Sequence, residues 1–297
     1  MKVRIGYGLG PRTAISADRF AAMVGALEEL RFDSLWLSER VTGEGPDPLV
    51  GLAVAAGMTR RLKLGFSVLV LPGRNPMLLA TELATLDRLS GGRLLPAFGL
   101  GAVDPAEQQA FGVAREERAA RFDEVLPLLH RFWSGEPVDH DGRFHRYEGA
   151  RVGPTPTQDH LDVWLGGRAR SELRRCGRLG DGWLPSFCTP DDVAAGIPVI
   201  EEAAAEAGRT IDPEHYGALL MYADGPLPEP ARALFARRRP DVEPEAIIAT
   251  GVDELAARIQ AFTEVGASKF VVMPLTEPDD WDAHLGELAE TLLPLQT

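Results

Sequence analysis

Eight short runs rich in β-branched, aromatic and leucine residues alternate along the chain with longer segments of helical periodicity. That pattern constrains the fold more than any other feature, because parallel strands need crossover helices between them. The runs are Val3 to Gly8, Ser34 to Ser38, Lys63 to Val70, Arg93 to Gly99, Asp162 to Leu165, Gly182 to Pro185, Gly217 to Tyr222 and Lys269 to Met273. Between them, apolar residues recur at three and four positions: Phe20, Met23, Val24 and Leu27, then Phe122, Val125, Leu126 and Leu129, and finally Trp281, Leu285, Leu288 and Leu292. Such stripes can each face a central sheet. Eight pairs in 297 residues predict an α/β fold of one domain spanning 1–297, a (β/α)8 TIM barrel.

Local chemistry marks the boundaries. Asp47-Pro48 and Asn75-Pro76 each pair an N-cap with proline at the first helical position, and Gly91, Gly135 and Gly266 stand where helices should stop. Pro96 inside a strand and Pro127 inside a helix each remove a backbone donor, which predicts a bulge and a kink. Two stretches exceed ordinary connections, 136–161 and 224–249. The first should form a hairpin along the barrel. The second follows the seventh strand and is the lid candidate.

Composition removes several function classes. The 44 acidic residues outnumber 31 basic ones for a net charge of −13, so no broad basic face is available for nucleic acid. No apolar run approaches the roughly 20 residues that span a bilayer, and the first residues carry no signal-peptide core. A cytoplasmic enzyme with no membrane contact is expected. Cys176 and Cys188 match no redox or zinc spacing and read as ordinary small residues. The six histidines show no ligand spacing either, so no metal is expected. Nucleophile elbow, P-loop and Rossmann fingerprint are all missing from the sequence.

In a barrel, chemistry collects where strands end. After the second strand come Glu39 and Arg40, a carboxylate that could serve as base or hydrogen-bond acceptor and a guanidinium that could hold an anion. The two could equally form a structural ion pair at the rim. Gly8 closes the first strand. The third ends in the apolar run 65–73, containing Ser67 and Val68, either backing for a flat cofactor or simply core. Gly99, Gly101 and Ala102 close the fourth, and Gly166, Gly167 and Arg168 close the fifth, where backbone amides can approach a ligand. Arg170, Arg174, Arg175 and Arg178 follow on one predicted helix, so a phosphate could sit at its N-terminus, with Arg168 the one arginine expected to touch it.

The ordered set Ser38-Glu39-Arg40, Arg61 to Gly65, Leu86 to Arg93, Gly99-Leu100-Gly101, Phe111-Gly112, Arg118 to Glu124, Trp164 to Gly167, Leu179 to Trp183 and Gly251 to Leu255 resembles the luciferase-like monooxygenase superfamily over nearly the whole chain. That resemblance implies a barrel, commonly a homodimer, binding coenzyme F420 or, alternatively, flavin mononucleotide (FMN) at the C-terminal mouth. It implies that Glu39 contacts the cofactor ring, that Ser67-Val68 forms a bulge with a non-proline cis peptide behind it, that Gly8, Gly101 and Ala102 border it, and that Gly166, Gly167 and Arg168 lie near its phosphate-bearing chain. Deazaflavin-dependent members often carry histidine at the position of Arg40, and a guanidinium cannot exchange protons near neutrality. Glu107, after the fourth strand, is then the expected group for proton transfer, against the plainer reading of an exposed helical glutamate.

The expected activity is hydride transfer between F420 and a small, largely apolar organic substrate. A two-component FMN monooxygenase, a non-catalytic flavin-binding barrel and a cofactor-free barrel lyase or isomerase using Glu39 as base stand beside it. Specificity should reside in loops 9–15, 41–46, 103–109 and 224–249.

Overall fold

A computed structural model describes residues 2–297. In chain order the elements are β1 (Arg4–Leu9), α1 (Ala17–Glu29), β2 (Ser34–Leu37), α2 (Pro48–Met58), β3 (Lys63–Phe66), β4 (Leu69–Val70), α3 (Pro76–Ser90), β5 (Leu94–Leu95), β6 (Ala97–Gly99), α4 (Pro105–Phe111), α5 (Arg118–Trp133), β7 (Val138–Asp141), β8 (Arg146–Ala150), β9 (Trp164–Leu165), α6 (Arg170–Leu179), β10 (Gly182–Trp183), α7 (Pro190–Glu206), β11 (Gly217–Ala223), α8 (Glu229–Arg238), β12 (Ile248–Thr250), α9 (Val252–Glu264), β13 (Lys269–Pro274) and α10 (Trp281–Leu292).

Parallel pairing runs β12-β11-β13-β1-β2-β3-β5 in one sheet and β10-β9-β6-β4 in another. The chain joins them, since β3 continues into β4 and β5 into β6, and bridges Trp183–Tyr216 and Ser186–Leu219 link β10 to β11. Closed in this way, the staves are β1, β2, β3/β4, β5/β6, β9, β10, β11 and β13, the expected barrel. The breaks fall where the sequence placed trouble. Pro96 lies between β5 and β6, and a cis peptide between Ser67 and Val68 separates β3 from β4. Observed strand ends differ from the expected ones by a few residues; β9, for example, starts at Trp164 instead of Asp162.

Period-two alternation sorts the strand side chains. Ile5, Tyr7 and Leu9, with Leu35, Leu37, Phe270 and Val272, pack outward under the helices. Trp36, Ala97, Trp164, Leu219, Met221, Val271 and Met273 fill the interior. Trp36 is accommodated by two glycines on neighbouring strands. A Cβ at Gly65 would stand 2.3 Å from the indole, and one at Gly6 would stand 2.3 Å from Ser34 Oγ and 2.8 Å from Trp36 Nε1.

The helix signals behave as anticipated: Asp47 and Asn75 cap α2 and α3, and Gly91 takes the left-handed conformation after α3. Pro127 lies within α5, which runs unbroken from Arg118 to Trp133. The 136–161 stretch contains the antiparallel hairpin β7–β8, pinned to α5 because the Glu124 carboxylate accepts the amides of Phe144 and His145. The 224–249 stretch is a structured unit. It holds α8, and its end feeds β12, which pairs with β11. Leu227, Phe235 and Ile247 join the interior cluster. Arg239, only 2% exposed, binds Asp192, Asp241 and the Phe187 carbonyl, so this unit is fastened to the start of α7.

Candidate active site

The C-terminal mouth is built from strand ends that carry glycine or small apolar residues. Gly8 stands one residue before the end of β1, and a Cβ there would meet Val271 and Met273 at 3.0 Å. Across the mouth, the Val68 side chain lies against β6 and β9: a Cβ at Gly99 would stand 2.5 Å from Val68 Cγ2, and one at Gly166 3.6 Å from Cγ1. Ser38 Oγ donates to the Ser67 carbonyl at 3.0 Å and lies 3.1 Å from Ser67 Oγ. The result is a Val68 side chain packed directly over the backbone at Gly99 and Gly166, with no room for a Cβ at Gly99.

Glu39 sits beside Val68, its side chain 5% exposed. Its amide donates to the Val68 carbonyl at 3.2 Å, its Oε2 accepts from the Val70 amide at 2.7 Å, and its Oε1 pairs with Arg74. Burial raises the Glu39 pKa above the ordinary carboxyl value, opposed by Arg74 and the Val70 N–H. The structural pair considered for Glu39 and Arg40 is thus not formed. Glu39 is matched with Arg74, four residues after the third stave, which the sequence did not single out.

Arg40 turns to α4 instead. It meets Asp104 at 2.9 Å and Glu107 at 3.4 Å, so its fork is already engaged by carboxylates. Glu107 is buried, contrary to the exposed alternative, and accepts the amides of Val41 (3.2 Å) and Thr42 (2.8 Å) and the Thr42 hydroxyl. Burial pushes its pKa up, but the Thr42 and Val41 hydrogen bonds and Arg40 outweigh it and hold the carboxyl below its usual value. A carboxylate so stabilised is a poor proton donor. It fastens the loop after β2 to α4.

Gly101 adopts φ +84°, and the carbonyls of Leu100, Gly101 and Ala102 all accept from Arg118 at 3.0 to 3.3 Å. Arg118 appeared in the sequence only as part of a recurring segment. At β9, Gly167 has φ +95°, and the amides of Arg168 and Ala169 donate to the Glu172 carboxylate at 3.0 and 2.9 Å. Glu172 thus caps the two amides that precede α6. Nor is the arginine run free: Arg174 pairs with Glu206 at 2.5 Å, and Arg175 and Arg178 pair with Asp123 at 2.5 and 3.5 Å. Arg168 keeps only a long contact, 3.9 Å to Asp192, with 30% of its side chain exposed. It remains available to an anion.

One aliphatic side chain set against glycine backbone is chemistry that suits the face of a flat ring. Around it, the charged groups Glu39, Arg40 and Glu107 are balanced by protein partners, and Arg168 offers one loosely held cation at the rim.

Comparison with known proteins gives a consistent picture. Residues 3–288 match the luciferase-like monooxygenase family. Among curated proteins, an F420-dependent glucose-6-phosphate dehydrogenase from Nakamurella multipartita is 29% identical over 231 residues, 71% of this chain and 64% of that one; the chain thus spans just under two thirds of that relative. Among solved structures, an F420-dependent secondary alcohol dehydrogenase bound to an F420-acetone adduct superposes with TM-score 0.84 over 100% of both chains at 20% identity, which establishes the shared fold. A monooxygenase from Streptomyces bottropensis gives TM-score 0.77 at 25% identity over 98% of this chain and 99% of that one.

Proposed function

The chain belongs to the luciferase-like monooxygenase family, and from that premise we propose that it is an oxidoreductase transferring a hydride between coenzyme F420 and a small organic substrate. The Val68 side chain packed on Gly99 and Gly166 is the observation that carries this reading, because it sets an apolar floor where the family resemblance places the coenzyme ring. When bound, the coenzyme would supply a hydride donor or acceptor on its ring.

The chain's own groups divide the remaining work. Val68, Gly8, Gly99 and Gly166 shape the surface against which a ring lies, and Gly101, Ala102 and Gly167 bound it. Arg168, just ahead of α6, holds an anionic tail with its side chain. Ser38 and Ser67 keep the two halves of the third stave in register with β2. Glu39 takes over the proton-handling role first assigned to Glu107, because burial favours its neutral form and so brings it closer to exchanging a proton at a carboxyl oxygen. Arg40 and Glu107 are positioning residues that hold the mouth loop 40–42. The exposed valines of the mouth loops, Val41 at 56% and Val103 at 66%, support an apolar substrate. Val50, Val54 and Met58 repeat every four residues on the outer face of α2, with Leu78 exposed on α3, and this apolar stripe supports a homodimer. No helix among the described residues is long and apolar enough to cross a membrane. The free, buried Cys176 and Cys188 accord with a reducing cytoplasm.

Titrating the purified protein with F420 and, separately, with flavin mononucleotide tests the proposal through cofactor fluorescence. Binding of F420 alone, weakened roughly tenfold by Arg168→Ala as expected for one lost charge-assisted contact, supports it. Preference for flavin mononucleotide moves the chain to an oxygen-using monooxygenase. Binding of neither removes the redox reading altogether.

A further inference from the structure

At the opposite end of the barrel, where the strands begin, the fold gathers histidines and carboxylates that are far apart in sequence. Asp162, Asp181 and His215 each lie just before a stave, β9, β10 and β11, while His160 comes from the segment after the β7–β8 hairpin and His130 from α5. A cavity of about 680 Å³ opens beside them, lined by His130, Asp159, His160, Asp181, Arg178 and Arg209.

His215 gives the clearest signal. Its Nδ1 lies 2.9 Å from the Asp181 carbonyl oxygen. A carbonyl only accepts, so Nδ1 carries the hydrogen, and in the neutral ring Nε2 presents a lone pair. That lone pair faces Asp162 Oδ2 at 3.8 Å: two acceptors with no donor between them. An imidazole whose first nitrogen is fixed on a backbone carbonyl and whose second is turned toward a carboxylate without touching it is an arrangement that metal-bound histidines use.

The neighbouring groups repeat the pattern. His160 Nε2 lies 3.2 Å from Asp181 Oδ2 and 3.7 Å from Asp162 Oδ1, and one ligand atom from each of His160, Asp162 and Asp181 falls within a 4.8 Å span. Ligands held tetrahedrally by zinc at about 2.0 to 2.2 Å stand roughly 3.3 to 3.6 Å apart, so the 3.2 and 3.7 Å separations already suit an ion and the remaining span closes by side-chain movement. Asp181 is already oriented, accepting the Val163 amide at 2.9 Å on Oδ2 and Arg209 at 2.7 Å on Oδ1. The His130 ring stacks on His160 with centroids 5.3 Å apart, its Nε2 4.0 Å from Asp181 Oδ2. Arg209 offsets one of the two carboxylates and Asp212 also faces Asp162, which leaves the pocket net negative.

We propose that His160, Asp162, Asp181 and His215 form a site for a divalent first-row transition ion of the zinc class, tying the starts of β9, β10 and β11 together. Imidazole with carboxylate is the donor set that suits such ions, and the lower face of a barrel is where its stability resides. The site is independent of the proposed coenzyme chemistry.

The test uses the full chain, stripped with chelator, dialysed and titrated calorimetrically with zinc chloride without coenzyme, alongside thermal unfolding. One ion per chain and a zinc-dependent rise in Tm are expected. His160→Ala and Asp162→Asn should each weaken binding by at least about tenfold, whereas His145→Ala, on the hairpin, should leave it unchanged. His215→Gln serves as a further variant if Asp162→Asn fails to fold. Binding below one ion per chain, or binding reduced equally by His145→Ala, overturns the proposal. So does a His215 imidazole resonance that does not respond to zinc.

Discussion

Each end of the barrel contains a buried arginine that donates to backbone carbonyls, and the two do different work. At the lower end Arg93 donates to the carbonyls of Ser90, Leu62, Ala56 and Thr59 and to Thr59 Oγ1, at 2.6 to 3.2 Å. It gathers the C-terminal ends of α2 and α3, where helix carbonyls lack intrahelical partners and a cation is favoured. At the mouth Arg118 donates to three successive carbonyls of one loop. Nothing there needs a guanidinium for helix packing; the arginine gives a fixed shape to the segment carrying Gly101 and Ala102. The lower end spends buried charge on joining elements. The mouth spends it on holding a surface still.

Substituting the two arginines separates these roles. Arg93→Met should have the larger effect on folding, about 3–5 kcal/mol, because several buried carbonyls lose their donor at once. Urea unfolding would measure it, and the protein that remains folded should bind F420 as before. Arg118→Met should cost less, about 1–3 kcal/mol, since its loop lies nearer water. Its signature is a weakening of F420 binding by roughly tenfold or more, equivalent to about 1.4 kcal/mol. Unchanged affinity in Arg118→Met, or lost affinity in folded Arg93→Met, would break the distinction.

The contrast also explains what could be read from the sequence. Barrel class, stave order and most helix boundaries follow from periodicity and caps within one element, and Asp47-Pro48 or Asn75-Pro76 needs no distant partner to act. Glu39, Gly99 and Gly166 stand out as candidates because strand ends are where barrels place their sites. Their partners do not. Arg74 meets Glu39 from the loop after β4, where it also donates to the Val70 carbonyl, a contact no local pattern announces. Glu172 reaches back to the amides of Arg168 and Ala169, a capping contact hidden by the more conspicuous arginines around it. Arg40, Asp104 and Glu107 converge through the short helix α4, too brief for its periodicity to register. The histidines before β9 and β11 share no spacing at all, since closure of the barrel alone brings His160 and His215 to the same pair of carboxylates.

The smallest expected effect concerns Glu107 and bears on which carboxyl moves protons. Its folded pKa is lowered, so between that value and the ordinary 4.5 the native chain binds fewer protons than the unfolded one. The stabilisation is therefore fully present above about pH 4.5 and is lost as pH falls through the folded pKa. Glu107→Gln removes the titrating group and places an NH2 donor against the amides of Val41 and Thr42. The variant should be modestly less stable than the parent at pH 7, and its stability should fall less steeply on acidification, as unfolding free energies measured from pH 7 to pH 3 would show. Glu39 has the opposite sign: its pKa is raised, so the native carboxyl binds more protons than the unfolded one and that contribution declines as pH rises from 4.5 through the folded value. If turnover with F420 is then assayed, Glu39→Gln should remove a pH-dependent limb that Glu107→Gln retains. The reverse result would return proton transfer to Glu107 and make Glu39 the anchor.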